Sequence, residues 1–138
     1  MMTLEEPATR GPLLGSRDQL VAILRTAGVP TLEVVSGRFL APCAIVEPGD
    51  PFLAPANLGG AWRRLRWRVV LVIGAGDAGA NLERMTELVQ AVVLAIGSAP
   101  GWTTPIVSGP RLVRVVGVEG GYTAAELAAE TIADITEG

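Results

Sequence analysis

Residues 61–97 read AWRRLRWRVVLVIGAGDAGANLERMTELVQAVVLAIG, and this stretch decides the fold. Between positions 64 and 68 charge alternates with bulk. Arg64, Arg66 and Arg68 take one side and Leu65 and Trp67 the other, which is the two-residue period of a strand. Val69, Val70, Leu71, Val72 and Ile73 then continue as an apolar run with no polar side at all. Such a strand enters with one wet face and finishes buried on both. Beyond the glycines, Leu82, Met85, Leu88, Val89, Val92 and Ile96 recur at three- and four-residue steps, with Glu83 and Glu87 opposite, as in an amphipathic helix. Asn81 or Asp77 is placed to cap its start, Gly97 to supply a left-handed exit, and Pro100 to stop it. A strand and a helix of this kind bury each other.

The remaining composition bounds the answer. A chain of 138 residues suits one domain with a real core, because a domain of this size removes about two-thirds of its unfolded surface from water. Hydrophobic residues make up 49%, which leaves apolar surface for association with other chains. No apolar run is long enough to span a bilayer, and Glu5 and Glu6 stand where a signal peptide needs a basic end, so a soluble, unexported protein without membrane contact is expected. Cys43 is the only cysteine and histidine is absent. That excludes an internal disulfide and a cysteine-based metal site, and removes the commonest acid-base group and metal ligand. Net charge is −3, yet every cation is arginine and four of them, Arg63, Arg64, Arg66 and Arg68, crowd one strand. After Arg114 only acids follow: Glu119, Glu126, Glu130, Asp134 and Glu137.

Taken in order, residues 1–15 lack periodicity and read as a flexible arm, leaving 16–138 as the folded domain. Ser16 with Gln19 makes a capping-box pattern, Leu20, Ile23, Leu24 and Ala27 make a stripe, and Gly28 with Pro30 ends the helix. Residues 31–35 and 41–46 are short apolar runs parted by Ser36, Gly37 and Arg38, two strands or a strand and an extended piece. Residues 47–60, EPGDPFLAPANLGG, read as a loop whose Phe52 and Leu53 fold back on the core or meet another chain. A short strand over 103–108 and a firmer one over 111–118, with a bulge at Gly117, come next. In 122–136 alanine and glutamate favour helix, but the apolar alternation favours strand. In either form Glu126, Glu130 and Asp134 share a face. The fold class is therefore α+β: a mixed, mostly antiparallel sheet packed by two main helices in a single domain.

The run Gly74-Ala75-Gly76-Asp77-Ala78-Gly79 is a literal G-x-G-x-x-G between a strand and a helix, the context of a dinucleotide site. Against it, no acid occurs between Glu87 and Glu119 to hold a ribose, and the preceding strand is long and arginine-studded. A plain strand-to-helix turn is the simpler reading, with no cofactor. No carboxylate pair, serine with a base, or metal cluster assembles, so no enzyme is expected. Trp62, Trp67, Trp102 and Tyr122 read as packing or interface anchors. Basic and aromatic residues in one strand of an acidic domain do not make a nucleic-acid module.

The succession LRTAGVP, PGDPFLAP, WRRLRWRVVLVIG, GDAGANLERMTELVQAVVLAI and a closing run of strands resembles the tail terminator proteins of long-tailed phages, prophages and gene-transfer particles, over about residues 16–135. The resemblance implies an α+β domain with a sheet packed by helices. It also implies assembly as a hexameric ring that caps the tail tube, ends its polymerisation and presents the head-joining surface. The implied partners are copies of itself, the tail tube protein and a head-completion or neck protein, with passing contact between DNA and the channel. The implied place is the tail-head junction of the virion, reached from the host cytoplasm. Another head-tail connector or neck protein of similar small fold is the alternative, and a dinucleotide-binding module over 74–79 a weaker one.

A ring needs two different surfaces of one subunit to meet on neighbours. The arginine face of Arg64, Arg66 and Arg68 and the acidic ridge of Glu126, Glu130 and Asp134 supply such a pair, or are adjacent strands within one subunit. Phe52, Leu53 and Trp62 complete the expected subunit or partner interface.

Overall fold

The computed structural model describes residues 11–32, 41–56, 62–114 and 120–134. Its elements are helix α1 (Gly11–Thr26), strands β1 (Thr31–Leu32), β2 (Cys43–Pro55) and β3 (Trp62–Ala75), helix α2 (Leu82–Ser98), and strands β4 (Ile106–Arg114) and β5 (Gly121–Asp134). The strand order is β1-β2-β3-β5-β4. The four long strands are antiparallel to their neighbours, and β1 adds a two-residue parallel edge at Ala44 and Ile45. The fold is α+β, as the alternation of periods predicts.

β3 occupies the centre of this sheet and gives it two unlike faces. Trp67, Val69, Leu71 and Ile73 project to one side and join Ala44, Val46, Leu127 and Ala129 from the flanking strands. Leu20, Val21 and Leu24 of α1 and Val92 and Ile96 of α2 close over them. Both helices therefore cover the same face, and Leu71, Ile73, Val92 and Ile96 are fully buried. Burying one large aliphatic side chain of this kind stabilises by about 1.5–3 kcal/mol. On the other face Val70 and Val72 pack with Cys43 and Ala124 in a smaller cluster, and further along the same face Arg68, Arg66 and Arg64 follow at two-residue steps.

Trp67 ties three elements together. Its indole N–H donates to Ser16 Oγ of α1 at 2.9 Å, and its ring meets Phe52 of β2 edge-on at 4.9 Å between centroids. Trp102, following α2, donates likewise to Gln19 Oε1 at 3.1 Å. This corrects the capping-box reading. α1 begins at Gly11 rather than Ser16, so residues 11–15 are helical, and Ser16 and Gln19 lie inside the helix as acceptors for two tryptophans. The expected arm over residues 1–10 lies outside the described residues. The C-terminal end of α1 is as expected: Gly28 takes φ +89°, and the Gly28 and Val29 amides return to the Arg25 and Leu24 carbonyls.

Other boundaries moved for tertiary reasons. The proline-rich segment expected as a loop continues β2 as far as Pro55, because a register break between Pro48 and Leu53 absorbs the turn formers while pairing to β3 resumes on both sides. Phe52 is accordingly half-buried against the core, the first of the two expected placements. In α2, Val92 and Ile96 are buried and Met85, Leu88 and Val89 pack beside them, but Leu82 at the first turn is 59% exposed. Gly97 is helical and the exit falls at Ala99 in an extended conformation, with the left-handed glycine at Gly101. The two predicted strands over 103–108 and 111–118 form one strand, β4, broken in register between Ser108 and Arg111; Gly117 lies outside the described residues. Residues 121–134 are a strand: the alternation outweighs the helical composition because pairing to both β3 and β4 satisfies its backbone.

Replacing Trp67 with alanine removes the contact shared by α1, β2 and β3 and is expected to cost about 3–5 kcal/mol in urea unfolding. Ser16→Ala strands the Trp67 N–H in a buried site and is expected to cost about 1–3 kcal/mol. A true N-cap would lose helix content at the start of α1; here the near-ultraviolet signal of tryptophan changes instead.

Candidate functional site

The charged face of the sheet is built by register. Arg66 lies opposite Glu130 and Arg68 opposite Glu47 in the ladders on either side of β3. Arg66 Nη2 donates to Glu130 Oε2 at 3.0 Å, and Arg64 Nε stands 3.7 Å from Oε1 of the same carboxylate. Arg68 binds Glu47 at 2.6 Å and lies 3.5 Å from Glu126, which Arg111 of β4 reaches at 3.2 Å. Four arginines and three glutamates thus lace β2, β3, β5 and β4 across one face.

Of the two arrangements the sequence left open, the geometry has the second: the arginine face and the acidic ridge are adjacent strands of one subunit. Arg64, Arg66, Arg68 and Arg111 are thus paired with Glu47, Glu126 and Glu130 inside the subunit. Asp134 stands opposite Trp62 in the ladder, and Trp62 and Leu53 are each 39% exposed. Glu47 and Arg111 belong to the network and were not singled out in the sequence. Glu47 continues the alternation of Cys43 and Ile45, a signal hidden by the proline that follows it.

The glycine turn is braced by its own side chains. An added Cβ at Gly74 would stand 2.6 Å from Asn81 Oδ1, so the absence of a side chain there makes room for Asn81. Asn81 Nδ2 donates to the Ala75 and Asp77 carbonyls at 2.9 and 3.0 Å. It also reaches Thr123 Oγ1, whose hydroxyl donates to the Gly76 carbonyl at 2.6 Å. Asp77 Oδ1 accepts the Ala80 N–H at 3.0 Å. A carboxylate already occupies the approach to the amides preceding α2, where a pyrophosphate would have to sit. Both cap candidates are therefore engaged, but in bracing the turn: Asn81 holds the N-cap position without a side-chain capping bond.

Cys43 is buried, and burial pushes its thiol up to about 11. Among the described residues no cluster of three or more histidine, cysteine or acidic side chains is placed to hold a metal ion. Among them, too, no helix is long and apolar enough to cross a membrane. A groove of about 390 Å³ runs between α2 and β4, lined by Met85, Val89, Val93, Val107 and Pro110. No protein-family model matches the chain, and a search of curated proteins finds no match.

Three measurements follow from this geometry. NAD or FAD at millimolar concentration is expected to leave Tm unchanged. Glu130→Gln is expected to cost no more than about 1 kcal/mol, because its arginine partners are partly solvated, and the loss should shrink as salt is added. The Cys43 thiol stays neutral in the fold up to about 11 whereas an exposed thiol ionises near 9.0, so the unfolded chain loses its proton first and stability falls as pH rises between those values. Cys43→Ala should flatten that part of the stability-pH curve, and the native thiol should resist alkylation at neutral pH.

Proposed function

We propose that the chain is a structural virion protein of the tail-terminator kind, a ring-forming cap that ends tail-tube growth and offers a joining surface to the head. The observation that carries this reading is the succession of elements: a leading helix, a long β2–β3 hairpin, a second helix, and a β4–β5 hairpin, with both helices on one side of the sheet. It is consistent with the α+β domain, a sheet packed by helices, that the sequence resemblance implies. It fits the absence of histidine from the sequence and a glycine turn braced by Asn81 and Asp77.

In this reading the chain does no chemistry. Its partners are copies of itself in a hexameric ring, the tail tube protein on one side and a head-completion or neck protein on the other. It would act at the tail-head junction after assembly in the host cytoplasm, with DNA passing through the channel. Apolar side chains left at the surface, among them Leu94 at 60%, Ile106 at 71% and Leu112 at 57% exposed, suit a protein that works within an assembly.

Co-expression with the tail tube protein of the same genome tests the proposal. Tubes of limited length bearing a ring at one end are expected, and tubes that lengthen freely when this chain is omitted. Binding to a head-side partner with no effect on tube length would instead favour a connector or neck protein.

A further inference from the structure

β4 is bare on the side of the sheet where the helices lie. It is the outermost strand, and all of its residues but the half-buried Val113 are exposed. Val107 stands opposite Leu127, which is buried beneath the helices, and so shares their side. Leu112 stands opposite Thr123, whose hydroxyl meets Asn81 at the start of α2, and shares it too. Yet among the described residues none from β4 joins the core that the helices close over. The layer of two helices stops at β5, and Val107 and Leu112 remain exposed beyond it.

The uncovered floor continues into the apolar groove between α2 and β4. One wall of that groove is a second stripe of α2, beside the buried Val92 and Ile96: Leu82, Met85, Val89 and Val93 follow one another at steps of three and four. From Leu82 to Val93 this stripe runs about 16 Å, three turns of helix. Arg114 lies two residues past Leu112, hence on the same side of β4, and is exposed at the end of the groove nearest the start of α2. It takes no part in the ion-pair ladder.

Two observations decide what fits. Pro110 places a residue without an N–H in the middle of β4, where the register also breaks between Ser108 and Arg111, so an added strand would meet an interrupted edge. A helix makes no demand on that edge; it needs an apolar floor and wall about one helix diameter apart from α2. Nor does a second copy supply such a helix. Outside the groove α1 and α2 each expose one large apolar side chain, Leu14 and Leu94, and so among the described residues neither has an outward apolar stripe.

We propose that this groove receives an amphipathic helix from a different protein, laid beside α2 over β4, with apolar residues at i, i+4 and i+7 against Val89, Val93, Val107 and Leu112 and a carboxylate against Arg114. The inference goes beyond the ring-forming reading and does not rest on it, since no contact between copies of this chain is involved.

Fluorescence anisotropy with the full chain tests it. The probe is a stapled peptide of about fifteen residues, because shorter unsupported helices are marginal in water, with leucines at i, i+4, i+7 and i+11 and a glutamate at each end. Saturable binding is expected, weakened about tenfold or more by Leu112→Asp, which exchanges an exposed apolar contact for a charge. Arg114→Glu is expected to weaken it several-fold at low salt and to bind a peptide with lysines in place of the glutamates better than the wild type does. That reversal cannot come from misfolding, and unchanged Tm is expected in both variants. Absence of binding would overturn the proposal, as would binding that Leu112→Asp leaves intact. Equal binding of an unstapled, proline-interrupted peptide of the same composition would exclude a helical occupant. A wild-type chain that self-associates in sedimentation velocity and becomes monomeric with Leu112→Asp would put a second copy in the groove and equally overturn it.

Discussion

The molecule depends on one central strand being buried on one side along its length and on the other side only in part. Trp67 is where that constraint is most concentrated. It is a bulky side chain on the helix face of β3, and it brings an aromatic contact from β2 and a hydrogen-bond acceptor from α1 into the same site. A buried indole N–H without an acceptor is costly, so α1 must lie with Ser16 over the sheet. Trp102 imposes the same condition one turn away through Gln19. Two tryptophans thus set where the first helix lies, and the aliphatic side chains beneath it supply most of the stabilisation.

The opposite side of β3 obeys a different rule. Arginine at every second position keeps that face wet, but in a four-stranded antiparallel sheet the neighbours of each arginine are set by register. Glutamates on both flanking strands fall opposite or diagonal to them. Exposed pairs of this kind are individually weak. What they supply is a penalty for slippage, because a shift of one residue would point every arginine into the apolar core.

The glycine turn shows how one string of residues serves different ends. In a dinucleotide site the missing side chains make room for phosphate. Here Asn81 folds back into that room and a threonine from β5 closes it from behind, so the turn binds its own chain. Asp77 adds a negative charge where an anion would approach. The identity of the contents was decided by residues at and beyond the motif, one of them, Thr123, far along the sequence.

Periodicity alone determined a good deal of this protein: the central strand, the stripe of α2 and the α+β class are legible, because burial on one face leaves a repeat of two or of three to four in the sequence. Over residues 122–136 it favoured a strand while composition favoured a helix, and pairing to β3 and β4 decided between them. The left-handed end of α1 is legible too, since glycine there is a local requirement. Only the tertiary structure decided the rest. That Arg66 meets Glu130 within one subunit depends on which strands are neighbours, and no local pattern encodes strand order. That β2 runs on through its prolines depends on β3 being long enough to hold it on both sides of the register break. That Ser16 and Gln19 serve tryptophans and not a helix start depends on contacts between residues up to 83 positions apart, whose energies appear only once the helix is laid on the sheet.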